Sequence, residues 1–106
     1  MARARLELVW SPEAEADLLN IWSWGAARFS ADTADAHLLD IERAAGALIR
    51  SPLYGRDRQR LVPGLRSMVI YPTVLFYRVT DAAIEVVRVV DGRRNLAALF
   101  PNDGDA

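Results

Sequence analysis

Two runs of apolar residues at three- and four-residue spacing stand one after the other in the first half of the chain. No other feature constrains the fold as much. Ala14, Leu18, Ile21, Trp22, Gly25 and Phe29 would line one side of a first helix. Ala34, Leu38, Ile41, Ala45, Leu48 and Ile49 would line one side of a second. The punctuation agrees. Ser11 is placed to cap the first helix, Pro12 suits its first position, and Glu13 and Glu15 complement its positive end. That helix is expected to end near Arg28 to Ser30. Asp32 is expected to cap the second, with Asp35 three residues on as the acid of a capping box. Ser51-Pro52 should end it. A three-residue connection then makes an antiparallel helical hairpin. Each helix carries a single apolar stripe, so the pair needs a second layer to cover it.

The rest of the chain supplies that layer as strands. Residues 4–10 alternate Leu6, Leu8 and Trp10 with Arg5, Glu7 and Val9, which predicts a first strand. After a polar loop over 53–64 ending in the turn pair Pro63-Gly64, residues 65–71, 74–80 and 84–90 read as three strands. Pro72-Thr73 and Asp81-Ala82-Ala83 are short connections, so these strands should form an antiparallel meander. Asp91-Gly92 is a further turn, Asn95 to Phe100 could add a short helix, and 101–106 reads as a frayed tail. The expected class is α+β in the order β-α-α-β-β-β. The helical hairpin lies on one face of a small, twisted, mainly antiparallel sheet. With 106 residues, 1–106 is expected to be a single domain.

Charge divides the chain. Residues 50–94 hold nine arginines (50, 56, 58, 60, 66, 78, 88, 93 and 94) against four acids, whereas residues 1–50 hold eight acids. All thirteen basic residues are Arg, so no lysine is available as a general base or phosphate ligand. With no cysteine there is no disulfide framework and no thiolate metal site. The N-terminus lacks a signal-peptide core, and no apolar run approaches the roughly 20 residues of a membrane helix. A cytoplasmic protein without membrane contact is expected.

Several segments, taken in order, carry a resemblance. They are Trp10-Ser11-Pro12-Glu13-Ala14 with Asp17-Leu18 and Ile21-Trp22, then Ser51-Pro52-Leu53-Tyr54-Gly55-Arg56 and Pro63-Gly64-Leu65-Arg66-Ser67. Phe76-Tyr77-Arg78-Val79 follows, and then the run from Ile84 to Arg94. Together they resemble the RelE/ParE toxin superfamily, and within it the ParE-like, plasmid-stabilisation branch. The resemblance covers residues 5–100. It implies the toxin component of a type II toxin–antitoxin system that poisons DNA gyrase. A cognate ParD-like antitoxin would neutralise it, and operator DNA would be reached only through that antitoxin. RelE-like relatives instead cut mRNA in the ribosomal A site, a reading kept as the alternative. A non-toxic relative that only binds antitoxin is a third.

The residues weigh on this choice. RelE-like nucleases are similar in assembling basic side chains, often lysines, with a Tyr or His near the C-terminus. Here there is no Lys, the one His is His37 in the second helix, and no Tyr follows Tyr77. That favours a binding toxin over an enzyme, with no catalytic residue, cofactor or metal assigned. Glu13, Glu15 and Asp17 form an acidic group, but acids in a helix's first turns complement its dipole. Arg66, Arg78 and Arg88 each lie in one meander strand and could form one basic patch for target or antitoxin, or pair with acids such as Glu85. Regular alternation places Arg66 with Met68 and Ile70, Arg78 with Phe76 and Val74, and Arg88 with Val86 and Val90. Arg93 and Arg94 follow a turn as further candidates. Trp24 falls about 200° around the helix from Trp22, which makes it a candidate exposed anchor. Arg56, Arg58 and Arg60 form a solvated loop or a site for an acidic partner. His37 sits one position off the stripe as a boundary residue.

Overall fold

The computed structural model describes residues 6–92 and 99–100. Strand β1 (Glu7–Trp10) leads into helix α1 (Pro12–Arg28), which turns back as α2 (Ala31–Ala47). Four strands follow: β2 (Arg56–Asp57), β3 (Arg66–Ile70), β4 (Thr73–Val79) and β5 (Ala83–Asp91). Their order in the sheet is β1-β5-β4-β3-β2. Neighbours from β2 to β5 are antiparallel, and β1 lies parallel to β5. The β-α-α-β-β-β reading of an α+β fold holds, with β2 as an addition inside the expected loop. Two residues show no alternation; β2 exists only because Arg56 and Asp57 pair with Ser67 and Arg66.

Ser11 explains how the parallel strand and the hairpin are joined. Its backbone N–H donates to Val86 O at 2.9 Å and its hydroxyl donates to Val87 O at 2.9 Å. The same hydroxyl accepts from Ala14 N at 3.0 Å, which is the cap expected from the sequence. One residue thus starts α1 and fixes where it leaves the sheet. The start of α2 differs from expectation. Ser30 is the cap, in extended backbone with φ −166° and ψ 162°, and its hydroxyl accepts from Thr33 N at 3.0 Å. Asp32 falls in the first turn, where an acid complements the dipole without capping. Asp35 makes no capping box; its carboxylate accepts from Trp22 Nε1 at 2.7 Å and clamps the two helices together. Phe29, expected on the buried stripe, is 64% exposed because α1 has already ended at Arg28.

The main core lies between hairpin and sheet. Ala14, Ile41, Ala45 and Leu48 from the helical layer meet Leu75, Tyr77, Ile84, Val86 and Val89 from β4 and β5. A smaller cluster of Leu65, Val74, Phe76, Val90 and Phe100 covers the other face, where the rings of Phe76 and Phe100 meet edge-on at 4.8 Å between centroids. Of the expected terminal helix only Leu99 and Phe100 are described; 95–98, the tail 101–106 and residues 4 and 5 of the expected first strand lie outside the described residues.

Tyr77 anchors the loop between α2 and β3. Its buried hydroxyl donates to Pro52 O at 2.7 Å and accepts from Gly55 N at 2.8 Å. Burial raises its pKa above 10.0, more than the Gly55 hydrogen bond and the Arg66 charge lower it. A Cβ on Gly55 would stand 2.6 Å from the Tyr77 ring and hydroxyl and 2.8 Å from Ser67 O, so only glycine fits there.

Candidate partner-binding groove

The C-terminal half of α1 and the N-terminal half of α2 splay above the end of the sheet where β4 begins and β5 finishes. Between them lies a groove of about 530 Å³. Its floor is apolar, with Ile21, Ala34, Val89 and Val90, and its mouth is framed by Trp24 and Phe29. Trp24 is 54% exposed, as its position off the stripe predicted. Trp24 and Phe29 pack edge-on with centroids 5.9 Å apart, and the Arg28 guanidinium lies 5.5 Å from the Trp24 ring centroid. Mutual packing and the cation–π contact restrict the indole in the unbound protein. A held, half-exposed Trp over an apolar floor is the form of an interface anchor.

Polar groups sit at two places in the groove. At one, His37 lies beside Thr73, with Nε2 3.4 Å from the Thr73 hydroxyl. That hydroxyl donates its proton to Ile70 O at 2.7 Å, so the network assigns the donor role to His37 Nε2. At the other, Asp17 receives three hydrogen bonds. Arg88 donates through Nε at 2.8 Å and through a terminal nitrogen at 3.0 Å, and Val89 N donates at 2.9 Å. The Asp17 hydrogen bond raises the pKa of Arg88, against a smaller lowering by burial, with the charges of Asp17 and Glu13 adding to the rise.

The three candidate arginines of the meander do not form one patch. Between Phe76 and Tyr77 the register of β4 against β5 slips, with Phe76 opposite Arg88 and Tyr77 opposite Val86. Val87 is the extra residue of a β-bulge, and a bulge reverses the alternation beyond it. Val86 therefore faces the hairpin while Val90 joins the opposite cluster, so Arg88 does not share one face with both. Arg88 instead reaches α1 and binds Asp17. Arg66 stands opposite Tyr77, on the hairpin side, and donates to Gly55 O at 2.8 Å and Leu53 O at 3.3 Å. Arg78, with Val74 and Phe76, takes the other face and pairs with Glu85 on the neighbouring strand. Arg93 and Arg94 lie outside the described residues. Of the target- or antitoxin-binding candidates among the described residues, only Trp24 lines the groove. His37 and Asp17, read earlier as a boundary residue and a dipole-complementing acid, line it as well. One signal was available for His37: its place one position off the stripe. None was available for Asp17, whose partner is 71 residues away.

The groove lining is mostly apolar. Asp17 is already committed to Arg88, and the remaining described ionisable groups that line the groove are His37 and Asp91.

Comparison with known proteins follows the same line. Residues 8–96 match the family described as the ParE toxin of type II toxin–antitoxin systems, parDE. The chain is 42% identical to Toxin ParE3 of Caulobacter vibrioides over 65 residues, 61% of this chain and 65% of that protein's own length. It is 34% identical to Toxin ParE1 of Mycobacterium tuberculosis over 87 residues, 81% of this chain and 89% of the relative. In structure it is similar to a chain of the chromosomal ParDE system from P. aeruginosa, with a TM-score of 0.73, 25% identity, and coverage of 82% of this chain and 96% of that one.

Proposed function

The chain belongs to the ParE toxin family of type II toxin–antitoxin systems, and on that premise we propose that it poisons DNA gyrase in the cytoplasm until a cognate ParD-like antitoxin binds it. The observation that carries the antitoxin half is the groove under Trp24 and Phe29. Its place between two helices, apolar floor and aromatic mouth fit an amphipathic helix that presents apolar side chains at three- and four-residue spacing. Such an antitoxin contributes its own DNA-binding domain, so operator recognition runs through it. The P. aeruginosa ParDE neighbour supports a partner of this kind.

The gyrase half is supported by the family and by the chemistry of the described residues. Among the described residues no arginine lines the groove; Arg88 is held by Asp17, and Arg28 lies against the Trp24 ring at the mouth. His37, the chain's one histidine, is turned to Thr73 inside the groove. A protein that acts by binding needs neither.

The test is gyrase supercoiling of relaxed plasmid with purified toxin, alone and with antitoxin. Inhibition that antitoxin relieves, with linear cleaved DNA accumulating, is the expected result. Folded toxin that leaves gyrase untouched would overturn the reading. Expression in cells would then separate a ribosome-dependent nuclease, which arrests growth, from a relative that only binds antitoxin.

A further inference from the structure

Segment 50–67 wraps the β2–β3 edge of the sheet and gathers five arginines there. Arg56 lies on β2 opposite Ser67. Arg58 follows, its backbone N–H donating to Leu65 O at 2.8 Å and its Nε to the Ser67 hydroxyl at 2.8 Å. Arg60 lies in the turn closed by Leu61 N on Arg58 O at 2.8 Å. Arg66 reaches back to the carbonyls of Leu53 and Gly55, on either side of Tyr54, and Tyr54 N donates to Ser51 O beside Arg50. These contacts hold the segment against the β2–β3 edge, and Tyr54 stands out of it with 74% of its area exposed.

The charge on this edge is not neutralised within the described residues. Elsewhere, Arg78 pairs with Glu85 and Arg88 with Asp17. No ion pair forms at Arg50, Arg56, Arg58, Arg60 or Arg66 among the described residues. The segment's one acid, Asp57, has a carboxylate oxygen accepting from Gln59 N at 2.7 Å. None of these residues lines the groove. The fold thus sets a basic edge apart from a groove whose described charged groups are Asp17 and Asp91.

We propose that this edge binds the phosphate backbone of duplex DNA. We further propose, in a step that rests on the gyrase reading above, that it meets the DNA in the poisoned gyrase complex. Two arguments select DNA over an acidic protein. Exposed arginine–carboxylate pairs contribute only about 0–1 kcal/mol each, so the exposed guanidiniums of Arg50, Arg56 and Arg60 gain little from a protein surface. Each contact to a DNA phosphate instead releases condensed counterions, a gain that needs neither burial nor fixed geometry. The Tyr54 hydroxyl adds a neutral donor of the kind that bonds phosphate oxygens. Such contacts carry no base readout, so binding is independent of sequence and separate from operator recognition by the antitoxin.

The test compares the wild-type chain with an Arg56→Gln/Arg60→Gln double variant. Both side chains are exposed and make no side-chain hydrogen bond or ion pair among the described residues, and thermal unfolding checks that the variant keeps its fold. Binding to a short fluorescent duplex of arbitrary sequence is followed by anisotropy across salt concentrations. Losing two phosphate contacts flattens the slope of log affinity against log salt by about 1.8 and weakens binding about sixtyfold at about 0.1 M salt. Antitoxin affinity, measured by calorimetry, stays unchanged. Equal DNA binding by both proteins overturns the assignment, as does a wild-type chain that does not bind DNA. Reduced antitoxin affinity with unaltered DNA binding also overturns it and gives the edge to an acidic protein. Supercoiling assays in parallel separate the two readings. A chain that binds DNA with the expected slope yet spares gyrase leaves the edge assigned and removes the gyrase reading. A double variant that binds DNA and poisons gyrase as the wild type does removes the edge alone.

Discussion

Substituting Asp17 with Ala removes the acceptor that joins α1 to the bulge of β5. Three hydrogen bonds are lost, two from the Arg88 guanidinium and one from Val89 N. The carboxylate is 12% exposed and the guanidinium 23%, so both give up most of their water on folding. Removing one partner of a buried pair costs about 3–5 kcal/mol, because the other charge stays behind unpaired. Here the guanidinium keeps enough exposure to recover part of its hydration, which places the loss near the bottom of that range, at about 3 kcal/mol. For a domain of roughly 100 residues that lowers Tm by roughly 12 °C or more. Urea unfolding followed by circular dichroism measures it, provided the slope with denaturant is unchanged. Glu15→Ala, on the exposed side of the same helix, should stay within about 0.5 kcal/mol of wild type. Adding Arg88→Met to Asp17→Ala should recover about 1–2 kcal/mol, since the stranded charge is then gone. A loss under about 1 kcal/mol, or additivity of the two substitutions, would refute the view that this pair holds the helix to the bulge.

Four further outcomes are expected. Gly55→Ala should destabilise by roughly 2 kcal/mol or more in the same unfolding assay, because the new methyl meets Tyr77 and Ser67 O inside contact distance; wild-type stability would show that the loop moves aside freely. Tyr77 has a raised pKa, so the folded state keeps its proton while the unfolded chain loses it. The resulting stability is full below pH 10.0 and falls as pH rises above it, which Tyr77→Phe should abolish in unfolding curves taken across that range. Arg88 has its pKa raised, chiefly by the Asp17 hydrogen bond, so it adds no pH dependence through the neutral range. Trp24→Ala should weaken antitoxin binding by about 2 kcal/mol, or roughly thirtyfold in calorimetry, while the melting curve barely moves. Ser30→Ala should cost about 1 kcal/mol of stability and Asp32→Ala less, because Ser30 is the cap.

Local pattern in the chain accounts for both helices and for every strand but β2. The stripe from Ala14 to Gly25 and the one from Ala34 to Leu48 state a hairpin with one apolar face, since periodicity is local and burial follows it. Ser11-Pro12 announced the start of α1, and the alternating runs before and after Pro72 announced the meander. Trp24's exposure followed from the same helical angle. The tertiary structure decided everything that depends on pairing at a distance. The cap of α2 moved from Asp32 to Ser30, and Asp35 turned to Trp22, because several short polar side chains compete for the same amides and the packed hairpin chooses among them. Arg66, Arg78 and Arg88 looked alike in three neighbouring strands. One extra residue, Val87, and the carboxylates of Asp17 and Glu85 sent them to different faces and different partners. A bulge leaves no mark in an alternating run, and an ion pair across 71 residues leaves none either. Those two features decide which meander arginines are paired with acids inside the fold, while Arg50, Arg56 and Arg60 of segment 50–67 stay exposed.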